Sequence, residues 1–162
     1  MALVDYYLKI DGIDGESHDQ KHKGEIEIDS FSWGQTQTGT AASNSGIGAG
    51  KVAMQDVSFV MRVNKASPKI ALACANGDHI NNAVLVCRKA GKDQQEFLKY
   101  TFSDILVSSY HTGGSQQSDL VPMDQFSLNF SKIECEYKEQ KSDGTLGGTV
   151  KMGWDVKQHR SV

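Results

Sequence analysis

The histidines and aspartates of this chain are the side chains that could hold a metal ion. His18 and His22 are four residues apart, a spacing that would suit a metal on a helix, but they lie in a polar, turn-like stretch without a nearby cysteine. Asp11, Asp14 and Asp19 do not follow the spacing of a calcium-binding EF-hand loop. We therefore expect surface histidines and no metal site.

A glycine-rich run over residues 46–51 is the next candidate, because such runs can cradle phosphates. In the motif G-x-x-x-x-G-K-[ST] the first glycine would fall on Ser45, and Val52 stands where a hydroxyl residue is required. A strand pattern follows the run, so no helix N-terminus would face the phosphates. The sequence therefore predicts no nucleotide or other cofactor.

Candidate nucleophiles are also without a catalytic pattern. The chain contains no G-x-S-x-G, and Cys74, Cys87 and Cys135 lie in apolar runs that favour buried free thiols. His79 and His111 follow loop residues, and nothing in the sequence pairs them with a nucleophile. Spatial triads and carboxylate pairs are set by the fold and stay open at this stage.

Bulk properties limit the partners of the chain. Its net charge is −3 with scattered lysines and arginines, which argues against nucleic acid. No apolar run has the length of a membrane span, so no membrane insertion is expected. The first residues alternate apolar and polar and predict a strand instead of a signal peptide. We expect one domain over residues 1–162.

Strand-like alternation dominates the chain and is interrupted by one helix. Ser67 is predicted as the helix N-cap, Pro68 as its first residue and Gly77 as its C-terminal stop. Together these elements predict a mainly β fold, an antiparallel β-barrel of two packed sheets with one flanking short α-helix and an extended loop. The predicted strands cover residues 4–10, 25–34, 52–63, 82–88, 97–107, 126–137 and 150–156.

Several predicted strands exchange their apolar face midway. Ile26 and Ile28 lie on one face, but Phe31 and Trp33 lie on the other. Either β-bulges reset the alternation, or part of each strand buries its outer face against a neighbouring subunit or the helix. Both interpretations stay open. The same exchange occurs in the predicted strands at 52–63, 97–107 and 126–137.

The segment from residue 35 to residue 50 is rich in Thr, Ser, Ala, Asn and Gly, and Ile47 is its only large apolar residue. It is longer than a hairpin connection needs. The segment is therefore predicted to be either disordered or a reaching loop that makes contacts.

A series of short motifs resembles the Hcp (haemolysin-coregulated protein) family of type VI secretion systems. One of them, Phe31-Ser32-Trp33-Gly34, ends the second predicted strand as it does in that family. The motifs occur in family order and extend over essentially the whole chain, which is more specific than any single match. They lie at residues 7–17, 31–34, 50–52, 55–59, 65–68, 73–77, 88–91, 107–109, 113–115, 128–130 and 153–154.

The resemblance implies a structural subunit that forms a homohexameric ring. Such rings stack into an inner tube within a contractile sheath, and the tube is capped by a spike protein and expelled with it. The lumen carries or chaperones small effector proteins. The chain would be cytoplasmic before firing and then secreted without a signal peptide. Its end at Val162 leads us to expect no attached toxin domain. Alternatives are a phage tail-tube-like protein and a monomeric β-barrel that binds a ligand or acts as a hydrolase.

The same resemblance assigns roles to individual residues. Ser32, by its place in the Phe-Ser-Trp-Gly motif, is expected to face the lumen. The segment at residues 35–50 corresponds to an extended loop that contacts the next ring. Its ring-stacking residues are expected to be Thr38, Thr40, Ser43, Asn44 and Ile47.

Overall fold

The computed structural model describes residues 4–39, 50–89, 94–117 and 121–162, and strands predominate among them. The predicted mainly β class with one helix is confirmed. In chain order the elements are β1 (Val4–Ile10), β2 (Ile26–Ile28), β3 (Ser30–Ser32), β4 (Gln35–Gln37), β5 (Val52–Met54), β6 (Val57–Arg62), α1 (Ser67–Asn76), β7 (Ile80–Lys89), β8 (Glu96–Gly113), β9 (Met123–Gln140), β10 (Leu146–Asp155) and β11 (Arg160–Ser161).

The strands form a barrel-like structure of two layers. The main antiparallel sheet runs in the order β11-β10-β9-β8-β7-β1-β2, while β6 pairs with both β9 and β3. Because β2 and β3 are nearly continuous in sequence, the chain passes from β1 on one side to β6 on the other. This passage completes the wall, although the sheet does not close as one uninterrupted ladder. A separate ribbon of β4 and β5 extends from the wall.

The interior of the barrel is filled with large apolar side chains. Phe59 and Phe126 are fully buried and stack with ring centroids 5.2 Å apart. Phe102 packs against Phe130 at the same centroid distance, and Leu8 is also fully buried. Burying each such side chain stabilises the fold by about 1.5–3 kcal/mol. A filled interior is the observation that argues against a ligand-binding or hydrolytic barrel.

Helix α1 follows the predicted start and stop signals with one correction. Its N-cap is Ala66, and Ser67 is the first helical residue, so the predicted N-cap was wrong. The Ser67 hydroxyl accepts a hydrogen bond from the Asn64 N–H and donates to Asp124 Oδ2 at 2.5 Å, which commits it to tertiary contacts. Gly77 ends the helix at a φ of 65°, as predicted for a left-handed C-terminal residue.

The first two face exchanges coincide with breaks in strands that were predicted to be continuous. Between β2 and β3, the Asp29 N–H donates to the Val60 carbonyl at 2.8 Å as the chain changes its pairing partner. Between the β3–β6 pair and the ribbon, the two residues that follow Ser32 lie opposite the three residues that begin at Gln55. One extra residue on one strand is the pattern of a β-bulge. The predictions of single strands at 25–34 and 52–63 were therefore wrong.

The other two exchanges lie where β8 and β9 bend together. Asp104 has a positive φ of 52° and faces Ser131, whose hydroxyl donates to Asp104 Oδ2 at 2.9 Å. A register shift between Val107 and Ser109 adds a second irregularity in the same pair. The positive φ of Asp104 thus coincides with the exchange in both strands, but the register there is not shifted, and an extra residue typical of a β-bulge is found only between Val107 and Ser109.

Candidate assembly surfaces

An apolar strip lies on one face of the sheet where β8, β9 and β10 pair. Leu98, Tyr137 and Val150 lie side by side across the three strands, and Cys135 pairs with Met152 in a neighbouring row. Val150 is 69% exposed, Tyr137 44% and Met152 38%. Large apolar side chains that lie together at a surface often mark an interaction site. We call these five residues the apolar strip.

Strand β10 also forms an open edge of the main sheet. It pairs with β9 on one side, whereas β11 pairs only with Trp154 and Asp155 on the other. In the described part of the chain, no strand neighbour covers the outer side of Leu146 to Met152. An open edge presents unpaired backbone N–H and C=O groups and readily adds a strand from another chain.

The opposite face of the same three strands is charged. Lys99, Glu136 and Lys151 lie directly across from one another on β8, β9 and β10. Alternating charges of this kind suit a solvated surface. The apolar strip is therefore confined to one face of the sheet and is continuous with its open edge.

A row of serines crosses the outer wall of the barrel. Ser32, Ser58, Ser127 and Ser109 are register partners on β3, β6, β9 and β8, and we call them the serine row. Ser58 lies between inward-facing, buried neighbours on β6, so the row points away from the core. The Ser127 hydroxyl lies 2.7 Å from the Ser108 hydroxyl and 2.5 Å from that of Ser109. The row is thus uncharged and rich in hydroxyl groups; Ser32 at its end is exposed, Ser58 and Ser109 are half-buried, and Ser127 is buried.

The β4–β5 ribbon continues the β3–β6 hairpin past its bulge. Chain segment 38–51 therefore connects the two strands at the far end of the ribbon. Gly50 is required here, because a Cβ atom would overlap the carbonyl oxygen of the exposed Thr38. The remaining predicted stacking residues lie outside the described residues; they are Thr40, Ser43, Asn44 and Ile47.

Comparison with known proteins decides the family of the chain. The family model described as "Type VI secretion system effector, Hcp" matches residues 7–137. The chain belongs to the Hcp family. It is therefore a type VI secretion system protein, and the resemblance found in the sequence is confirmed.

Individual Hcp relatives agree along nearly the full length of the chain. Protein hcp1 of Pseudomonas aeruginosa is 42% identical over 158 residues, which cover 96% of this chain and 97% of that protein. The crystal structure of Hcp1 from Salmonella typhimurium matches with a TM-score of 0.82 and 36% identity, over 99% of this chain and 100% of the other. A structure of a type six secretion system protein matches with a TM-score of 0.91 and 31% identity, over 98% and 99% of the two chains.

Outside these surfaces, a buried charge cluster fastens the loop after β1 to the sheet of this Hcp-family chain. Arg88 is 1% exposed and donates two parallel hydrogen bonds to Asp19, at 2.8 and 3.0 Å. It also donates to the Tyr7 hydroxyl at 2.9 Å and approaches Asp5 at 3.5 Å. The hydrogen bond from Arg88 lowers the pKa of Asp19 to about 2, and burial raises the pKa of Tyr7. We call these four residues the Arg88 clamp.

His22 extends this cluster, and the prediction that it is a surface histidine was wrong. It is 5% exposed and stacks on Tyr7 with a centroid distance of 4.5 Å. Its ring nitrogens lie 3.1 Å from both Glu25 oxygens and 2.7 Å from Glu96 Oε1. His18 is exposed, as predicted. Among the described residues, no three metal-ligating side chains converge on one point.

A further polar cluster lies where β8 and β9 pair. Asp104 lies between the Ser131 hydroxyl and the His79 ring, which is 3.2 Å away. In a catalytic triad the histidine is the central residue, so this cluster does not match one. The hydrogen bond from Ser131 lowers the pKa of Asp104. His111 is exposed on β8.

The three cysteines are free thiols, as predicted. Cys87 is buried, and burial raises its pKa to about 12. Cys74 and Cys135 are only half-buried, which differs from the expectation of full burial. Burial also raises the pKa of Cys135, which lies in the apolar strip, and a protonated thiol is a poor nucleophile.

The described residues contain no helix that is long and apolar enough to cross a membrane.

Proposed function

We propose that this Hcp-family chain is the ring-forming subunit of the inner tube of a type VI secretion system. Homohexameric rings stack into a tube within the sheath, and the tube leaves the cytoplasm together with the spike protein. The lumen carries or chaperones small effector proteins, and the subunit has no catalytic role. The observation that carries the proposal is the half-exposed apolar strip beside the open edge of β10.

Ring formation resolves both features of this edge. A neighbouring copy can cover Val150 and Tyr137 and can pair the backbone of β10 at the same time. In a head-to-tail contact the strip and edge of one copy meet a different surface of the next copy. Head-to-tail contacts that close produce a cyclic oligomer without an open end.

The serine row supports a lumen on the outer wall of β3, β6, β9 and β8. A channel that passes folded proteins benefits from small, uncharged side chains that do not bind one charge type strongly. Ser32 is exposed at the end of this row and is assigned to the lumen in this proposal. Cargo selection there would depend on hydrogen bonds from the hydroxyl groups.

The ribbon supports contacts between successive rings. The strands β4 and β5 continue the β3–β6 hairpin, which is part of the same wall. Residues 38–51 therefore join the two strands at the far end of this hairpin. We assign stacking to Thr38 and, beyond the described residues, to Thr40, Ser43, Asn44 and Ile47. Deletion of residues 41–48 is then expected to leave single rings intact and to abolish stacked tubes in electron micrographs. Tubes of normal length in the deletion variant would refute this role.

The ring itself is tested by placing a charge on the strip. Val150→Glu would bury a carboxylate at the subunit contact, so we expect gel filtration with light scattering to report monomers at concentrations where the unmodified chain forms rings. Leu72→Glu is the matched control, since Leu72 is 60% exposed on α1 and lies away from β10. Intact rings of Val150→Glu, or equal loss in both variants, would contradict the assignment.

A further inference from the structure

The loop between β1 and β2 is attached to the sheet by side chains at its tip. We call residues 18–23 the loop tip. Next to the tip, the two arms of the loop bond to each other, as the Gly15 N–H does to the Gly24 carbonyl at 2.8 Å. No backbone hydrogen bond joins the tip to a strand among the described residues, so Asp19 and His22 hold it in place. The other tip residues are exposed; they are His18, Gln20, Lys21 and Lys23.

Both ring nitrogens of His22 face carboxylate oxygens. The Nδ1 atom lies 3.1 Å from each oxygen of Glu25 in the loop, and the Nε2 atom lies 2.7 Å from Oε1 of Glu96, the first residue of β8. A neutral imidazole has one N–H group and one bare nitrogen, so it can donate to only one of these carboxylates and turns a lone pair towards the other. A ring with two protons donates to both. Because His22 is only 5% exposed, water does not separate these groups.

The other charged groups around His22 already have partners. Tyr7 on β1 stacks on the ring with the two planes 8° apart, and the Arg88 guanidinium of β7 lies 4.9 Å from the Tyr7 ring centroid. Asp19 and Asp5 neutralise Arg88 within the Arg88 clamp. In the described part of the chain, the ion pairs of the two glutamates are both with His22. The histidine is therefore the group that balances their charge.

We propose that His22 is held with a proton on each ring nitrogen and forms a proton-dependent latch between the loop tip and the start of β8. While the second proton is present, the ring donates to Glu25 and Glu96 together. When that proton leaves to solvent, one of the two contacts becomes repulsive and Asp19 carries most of the hold on the tip. The hydrogen bond from Arg88 lowers the pKa of Asp19 to about 2, so the two attachments respond to different ranges of pH.

The direction of the pH dependence follows from the number of protons in each state. With the latch closed, the folded chain holds one proton more than an unfolded chain whose histidine has lost its second proton. Stability, and with it the hold on the tip, therefore falls as pH rises. The contribution of Asp19 has the opposite sign, because it is lost as pH falls.

Trypsin reports the hold on the tip, because Lys21 and Lys23 are exposed on either side of His22. Cleavage requires the tip to open locally, and its rate follows the population of the open form. We would follow cleavage after these lysines by mass spectrometry between about pH 6 and about pH 9, the range around histidine titration. Each rate is divided by that of a free peptide of residues 16–25 with the same substitution, which removes the pH response of trypsin itself.

The relative cleavage rate of the unmodified chain is expected to rise at least about tenfold across this range, which corresponds to about 1.4 kcal/mol. His22→Gln cannot change its charge and is expected to be cleaved rapidly at every pH. His18→Gln, at the exposed histidine of the same tip, is the matched control and should behave as the unmodified chain. A relative rate that does not rise in the unmodified chain, or that rises equally in His22→Gln, would overturn the proposal.

Glu96→Gln tests the partner on β8 without changing the histidine. A glutamine amide accepts a hydrogen bond from a protonated ring and donates one to a bare nitrogen, so it pairs with both states of His22. Since Glu96 is 43% exposed, we expect the fold to be kept and the rise in cleavage with pH to be largely lost. Glu16→Gln, at an exposed glutamate of the same loop, is the control and should keep the full rise. An unchanged rise in Glu96→Gln would overturn the latch to β8.

Discussion

The Arg88 clamp makes an asymmetric prediction about stability. Asp19→Ala removes the carboxylate that accepts two hydrogen bonds from Arg88, whose side chain is 2% exposed. The remaining carboxylate, Asp5, is 3.5 Å away and cannot replace that pair. Arg88→Met instead removes the buried charge and fills much of its space with an apolar chain. The two single variants should therefore differ, although they break the same interaction.

The magnitudes follow from which group is left buried. Asp19→Ala strands a buried guanidinium, which is expected to lower the free energy of unfolding by about 3–5 kcal/mol. After Arg88→Met, the Asp19 side chain is 18% exposed and can bind water, so we expect a loss of about 1–2 kcal/mol. The double variant should resemble Arg88→Met alone, which gives a coupling energy as large as the Asp19→Ala loss, about 3–5 kcal/mol.

Urea unfolding followed by far-UV circular dichroism measures these free energies. The series is best made in the Val150→Glu background, because ring assembly would otherwise stabilise the folded state by mass action. Asp14→Ala, an exposed aspartate in the same loop, is the control and should change stability by less than about 0.5 kcal/mol. Additive effects of the two clamp substitutions, or an Asp19→Ala loss as small as that of the control, would show that Asp19 does not hold the buried charge of Arg88.

Two further predictions concern acid and the start of the helix. Because the folded pKa of Asp19 is about 2, below its ordinary value of 3.8, its stabilisation is present above 3.8 and is lost as pH falls towards 2. Acid titration of circular dichroism should show a loss of about 1–2 kcal/mol in that window that is missing in Asp19→Ala; identical curves would contradict it. Asp124→Ala leaves the Ser67 hydroxyl without its buried acceptor and should cost about 1–3 kcal/mol in urea unfolding, whereas Asp124→Asn should cost less. Equal stability of Asp124→Ala and the unmodified chain would exclude this contact as an anchor of α1.

Local sequence signals predicted the helices and strands of this fold better than they predicted contacts between residues far apart in the chain. Gly77 ends α1 because a left-handed residue is needed there, and that requirement is visible in the sequence. Ser67 is followed by proline and looks like an N-cap, but its hydroxyl is used by Asp124, which lies 57 residues away. A side chain that bonds so far along the chain cannot be assigned from neighbouring residues.

The exchanged apolar faces were visible in the sequence, but their cause was not. The hydrophobic pattern marks where a face changes, yet a bulge and a second buried face produce the same pattern. The pairing of Asp29 with Val60 and the positive φ of Asp104 opposite Ser131 mark where the backbone departs from a regular strand. Neither feature has a local signature strong enough to predict.

The assembly surfaces were the least predictable part of the molecule. Val150, Met152 and Trp154 alternate in the sequence as one core face would, but their exposure falls from 69% at Val150 to half-burial at Trp154. Which part of that face remains exposed to solvent depends on the order in which the strands pair in the sheet. Arg88 gave one usable signal, since an arginine directly after an apolar strand core must find a buried partner. The sequence did not identify Asp19 as that partner.

Negative-stain electron microscopy of the purified chain would show the proposed ring in class averages. We expect closed rings with a central hole, in which every subunit presents its β10 edge to the next copy. Compact single particles without a hole, at concentrations well above those at which the light-scattering mass has levelled off, would contradict it.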